Sequence, residues 1–175
     1  MKKKLLIFFS LFTCFLIIGC SSNRKMNTLI SKSDCNKTVH FVWDESSNFT
    51  RIQSQGTFKN DYFSLSKGKK LNYRSIFAES LKELGKKTNA KLLLKNSHTF
   101  PSDSIIQVTV KIENIVWHKG FSKAIMDTHL VYNISNQVVP ILGKSKAQSN
   151  ARAGKSLLQS FEHGNLLFLL ANCDR

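Results

Sequence analysis

Acidic side chains are scarce in this sequence: eleven Asp and Glu stand against 26 Lys and Arg, a formal charge of +15 over 175 residues. None of the eleven forms a suggestive cluster, so a paired-carboxylate catalytic site is the weaker expectation. The four cysteines include no Cys-x-x-Cys, which excludes a dithiol redox motif and a zinc knuckle. The histidines His40, His98, His118, His129 and His163 stand at no metal-ligand spacing, and no cofactor is expected. Gly-x-Ser-x-Gly, the nucleophile signature of many hydrolases, is missing. Gly-Lys-Ser occurs at 143–145 and at 154–156. A phosphate-binding loop also needs a glycine five positions before its second glycine, where Val138 and Ser149 stand here. Asp127 and His129 would share one side of a strand, either as an acid–base pair or, more simply, as a solvated hydrogen-bonding pair.

What the chain does have is a distinctive start, MKKKLLIFFSLFTCFLIIGC. Three lysines precede an almost unbroken apolar run that ends at Ile17-Ile18-Gly19-Cys20. That is the layout of a secretory signal peptide. A membrane-spanning helix needs about 20 apolar residues, and Leu5 to Ile18 supplies 14; a membrane helix and an ordinary signal peptide are the competing readings. The segment resembles the signal of bacterial lipoproteins, whose lipobox places an aliphatic, a variable and a small residue before an invariant cysteine. The resemblance implies cleavage of 1–19 and lipidation of Cys20 by a diacylglycerol and a further acyl chain such as palmitate. One acyl chain holds a protein only marginally, at about 0.8 kcal/mol per buried CH₂, whereas two or more hold it stably. In enteric lipoproteins a serine after the lipidated cysteine accompanies sorting to the outer membrane. Ser21 therefore implies an outer-membrane anchor with the domain facing the periplasm.

Loss of 19 residues with three lysines and no acid leaves 156 residues and lowers the charge by three, to +12. That length suffices for one domain with its own core. Cys14 leaves with the signal, so Cys35 and Cys173 remain as an even pair. In an oxidising compartment such a pair reads as a disulfide, the alternative being two buried thiols. A loop of this length, closed covalently, would stabilise by roughly 4–5 kcal/mol on the chain-entropy model.

The polar stretch Ser21 to Asp34 reads as a flexible spacer, giving boundaries of 1–19 signal, 20–36 anchor and spacer, and 37–175 domain. Lys37 to Trp43 is a first strand by its β-branched and aromatic residues. Arg51 to Leu65 is a short strand or a packed loop. Asn72 to Leu84 is a helix: Asn72 caps it, Tyr73, Ile76, Phe77, Leu81 and Leu84 form a stripe, and Gly85 stands where a C-cap belongs. Ala90 to Lys95 is a short strand. Ser104 to Trp117 alternates cleanly until Asn114, where the apolar parity switches and a bulge is expected. Lys123 to Ser135 and Val138 to Ala147 complete a meander, with Pro140 arguing for an edge. Ser149 or Asn150 caps a second helix, which His163-Gly164-Asn165 interrupts. Leu166 to Ala171 is apolar all round and is a helix or a strand. The fold expected is α+β: a single, mostly antiparallel sheet with a three-strand meander and two helices on one face.

From Lys59 to Lys95 ten Lys or Arg face three acids. Lys67, Lys69, Lys70, Arg74, Lys86 and Lys87 are the candidate contacts for an anionic ligand; a solvated helix face is the plainer reading. Trp43 and Trp117 are core, unless exposure marks them as contacts. The element order is similar to that of small periplasm-facing lipoproteins with an anticodon-binding-like α+β domain, such as the lipopolysaccharide-assembly lipoprotein and the auxiliary lipoproteins of ABC transporters. This likeness transfers no functional residue. It implies a non-enzymatic accessory or assembly factor of a cell-envelope complex, held at the membrane through its N-terminal lipid. The alternative is a binding module for lipopolysaccharide, phospholipid or a glycan. Nucleic acid is not an expected partner of an exported chain, and a lipid-anchored hydrolase finds no positive support.

Overall fold

One long strand carries the architecture. In the computed structural model the described residues are 21–31, 35, 37–47, 51–56, 60–64, 71–98, 102–149 and 152–173. Cys20, Lys67, Lys69 and Lys70 lie outside them. Three helices, α1 (Ser21–Ile30), α2 (Tyr73–Thr88) and α3 (Ala153–Asn172), accompany β1 (Thr38–Trp43), β2 (Arg51–Gly56), β3 (Asn60–Ser64), β4 (Leu92–Lys95), β5 (Ile105–Lys119), β6 (Ala124–Ile134) and β7 (Gln137–Lys144). β5 pairs along one edge with β1 over its first half and with β2 over its second, and along the other edge with β6.

The sheet is more mixed than expected. β5, β6 and β7 form the antiparallel meander, and β2 and β3 form an antiparallel hairpin from the ambiguous 51–65 stretch. However, β1 runs parallel to both β4 and β5, and β2 runs parallel to β5. The expectation of a mostly antiparallel sheet is corrected: among the described residues three strand pairings are parallel and three antiparallel. The cause is that α2 carries the chain back to the end where β1 began, so β4 enters in the direction of β1, as a helical crossover requires.

The expected bulge is present as a register shift between Ile112 and Asn114. It keeps the apolar side of β5 on one face: Val108, Val110 and Ile112 before it, Ile115 and Trp117 after it, all buried. Pro140 sits in β7, which among the described residues pairs only with β6, the edge position its missing donor favours. Both helices α2 and α3 pack on this face. Phe41 lies at the centre, with ring contacts to Phe77 of α2 (5.8 Å), Phe168 of α3 (5.9 Å) and Tyr132 of β6 (6.4 Å). Trp43 and Trp117 are both buried in this core.

Four local expectations are corrected. The stretch read as a spacer is helical over Ser21–Ile30, because Met26, Leu29 and Ile30, at i, i+3 and i+4, pack against the core. α2 runs through Gly85 to Thr88 and ends on Asn89 in the left-handed region at φ 55°. α3 starts from Arg152 without a side-chain cap. It also passes through His163-Gly164-Asn165 unbroken, taking Leu166 to Ala171 as helix. Gly164 lets the helix approach β6, since an added Cβ would meet Leu130 Cδ1 at 2.6 Å. Asn165 is held by accepting the Tyr132 hydroxyl at 2.8 Å and donating to Ser80 Oγ at 3.1 Å. Packing outweighs the roughly 1 kcal/mol helix penalty of glycine. The Cys35 and Cys173 sulfurs lie 2.13 Å apart, at disulfide distance, with Cα atoms 5.1 Å apart.

Candidate functional site

The outer stripe of α3 faces a groove instead of the core. Lys155, Leu158, Gln159, Glu162 and His163 recur at i, i+3, i+4, i+7 and i+8, one side of a helix. Opposite them stand Met26, Leu29 and Ile30 of α1, and between the two helices lies a cavity of about 820 Å³. The end of β7 and the residues after it supply Lys144, Ser145 and Lys146, and the last turns of α2 supply Glu83 and Lys87. Ile125, at the start of β6, adds to the apolar wall.

Four lysines and two glutamates line this cavity. Glu162 is buried and is ion-paired with Lys87 across the α2–α3 contact. Glu83 pairs with Lys86 at 2.7 Å, and that hydrogen bond and charge hold its carboxyl below the usual range. Both acids are thus engaged by α2 cations and Lys144 lies in ion-pair range of Asp127, while Lys146 and Lys155 leave the cavity positive. His163 does not add charge. Its Nδ1 accepts the Lys144 backbone N–H at 3.2 Å, and burial, with the Lys144 charge, lowers its pKa against a smaller opposing effect of Asp127. Asp127 itself is buried, 3.2 Å from His118 Nε2 and 3.8 Å from Lys144 Nζ. The imidazole facing Asp127 is therefore that of His118 on the neighbouring strand, while His129 is exposed. Such a groove, lined by both apolar side chains and lysines, suits a molecule with an aliphatic part and an anionic head.

The sequence candidates meet this groove at one point. Arg74 sits in the first turn of α2, donating to Glu45 Oε1 at 2.9 Å and Asn96 Oδ1 at 2.7 Å. Lys86 and Lys87 lie in the last turn, some 18–20 Å further along the helix at 1.5 Å per residue. Each of the three is ion-paired, so these described residues make no continuous open patch, and only Lys87 lines the cavity. Lys67, Lys69, Lys70 and the lipidation residue Cys20 are outside the described residues. Lys144, Lys146 and Lys155 were not among the candidates. For Lys155 the signal is the 155–163 stripe, which periodicity offers beside the core stripe through Leu157 and Phe161, whereas Lys144 and Lys146 carry no such mark. Among the described residues no group of three His, Cys, Asp or Glu could hold a metal ion, and no helix is long and apolar enough to cross a membrane.

No family model matches the chain, and no curated protein matches it significantly. A solved structure described as "Crystal structure of uncharacterized protein" is similar at 9% identity with a TM-score of 0.34, covering 80% of this chain and 92% of the other.

Proposed function

We propose that this chain is a lipid-anchored, non-enzymatic binding module of the cell envelope that holds an anionic amphiphile in the α1–α3 groove. The observation that carries the reading is the lining itself, which combines apolar Leu29, Ile30, Ile125 and Leu158 with the lysines Lys144, Lys146 and Lys155. An acyl chain would lie along the apolar side chains, and a phosphate or carboxylate head would meet the lysines. The lipobox-like start supports an anchor at Cys20, on the periplasmic face of the outer membrane, where such molecules are abundant. In this setting the module serves as an accessory factor of an envelope complex, receiving or presenting the amphiphile. Lys67, Lys69 and Lys70, outside the described residues, stay in the proposal only as sequence candidates for contact with an anionic ligand.

The test is a titration of the protein with a fluorescent fatty acid and with phosphatidylglycerol in detergent below its micelle concentration. Binding should weaken with salt, because part of it is charge pairing. Lys144→Glu with Lys155→Glu should weaken it strongly, and Leu158→Asp should abolish it. Binding left unchanged by all three substitutions would end the reading. Crosslinking in intact envelopes tests the accessory role; recovery of no protein neighbour would remove that part.

A further inference from the structure

The β5–β6 turn carries the most exposed large apolar side chain among the described residues: Phe121, 95% exposed. It stands at the tip of a long hairpin, in the sequence Lys119-Gly120-Phe121-Ser122-Lys123. Gly120 N–H donates to the Lys123 carbonyl at 2.9 Å, closing the turn. Ala124 then bridges to Gln148, and Lys119 Nζ lies 5.1 Å above the Trp117 ring. Both flanking charges are positive, and the nearest acid along the chain, Asp127, is buried beside His118.

We infer that the β5–β6 tip is a membrane-contact element, in which Phe121 enters the interface of an anionic bilayer while Lys119 and Lys123 meet its head groups. A phenyl ring at the head-group level with lysines beside it is the combination that interfacial binding selects. An anionic protein surface would offer the same charges, but it would cover the ring only with a matching pocket, whereas a bilayer accepts an isolated ring. Position supports the same occupant. The strand ends that carry the tip lie beside Ile125 and Lys144–Lys146, so the tip and this part of the groove share one end of the sheet. Contact through Phe121 would turn that part of the groove toward the lipid. The inference does not depend on what the groove holds.

The test uses the full chain carrying Phe121→Trp, reconstituted in vesicles whose acyl chains are brominated. Trp43 and Trp117 are buried, so the unsubstituted protein supplies the baseline. In three-to-one phosphatidylcholine–phosphatidylglycerol vesicles the added emission should shift to the blue and be quenched. Replacing Lys119 or Lys123 by Gln should lower the ratio of inserted to free tip about fivefold per lysine. Added emission that stays water-like and unquenched overturns the inference. Quenching that is equal in pure phosphatidylcholine and indifferent to both lysine substitutions overturns it as well, because the charges would then contribute nothing. Ligand titration of the same preparation reads the groove separately.

Discussion

A Cβ on Gly143 would fall 2.2 Å from the Ser160 carbonyl oxygen and 2.7 Å from Thr128 Oγ1, so here β7 touches the backbone of α3. Gly143→Ala should cost at least the upper end of the roughly 1–3 kcal/mol typical of overpacking, because a carbonyl cannot step aside. Gly164→Ala meets the far end of the Leu130 side chain and gains helix propensity, so its cost should stay within about 1 kcal/mol. Urea midpoints would decide, and equal losses would contradict the assignment of Gly143 as the closer contact. The buried chain from Tyr132 through Asn165 to Ser80 makes a similar demand. Burial drives the Tyr132 pKa well above its ordinary value, which keeps the phenol a neutral donor. Asn165→Leu should orphan the Tyr132 hydroxyl, while Ser80 keeps its bond to the Phe77 carbonyl, and cost about 1–3 kcal/mol, measured by the same denaturation. His163 sets a pH dependence. Its folded pKa is lowered from 6.5 by burial and Lys144; the unfolded chain therefore takes up the proton first. Its contribution is fully present above 6.5 and is lost as pH falls toward the folded pKa. His163→Gln should flatten thermal stability between pH 7 and the acid side of that window. Gly143 and Gly164 could be read from sequence only as glycines. Their reason lies in contacts between residues far apart in the chain.

At the level of elements, what could be read depended on how clean the periodicity was. The β5–β7 meander and α2 were legible because apolar residues repeat there at a fixed interval, the bulge because that parity breaks at Asn114, and the edge position of β7 because of Pro140. Parallel pairing of β1 was not, because strand order is decided by where a crossover returns and leaves no local mark. α1 was missed for another reason: three apolar residues among polar ones look like a linker until a neighbour covers them. The groove was illegible for the same cause, since one of its walls is α1. This element carries its own prediction. Leu29→Asp with Ile30→Asp should release α1 from α3 and remove amphiphile binding. Thermal stability should drop by little, since α1 contributes only partly buried side chains to the core. A large fall in melting temperature would show instead that α1 belongs to the folding unit.

For the molecule as a whole, the Cys35–Cys173 pair encloses a sequence separation of 138 residues. Reduction, or Cys173→Ser, should lower stability by roughly 4–5 kcal/mol on the chain-entropy account, seen as a fall in melting temperature with dithiothreitol. An unchanged melting temperature would mean that the unfolded chain is already compact. The even cysteine count made this pair readable from sequence, whereas its neighbours in space were not. The same bridge has a mechanical consequence. Tension applied between the two ends of the chain enters at Cys35 and leaves at Cys173, so the covalent link carries the load past every strand and helix between them. Stretched by its ends while oxidised, the molecule should lengthen only by its N-terminal lead and its last residues. Once reduced, it should release the whole enclosed loop.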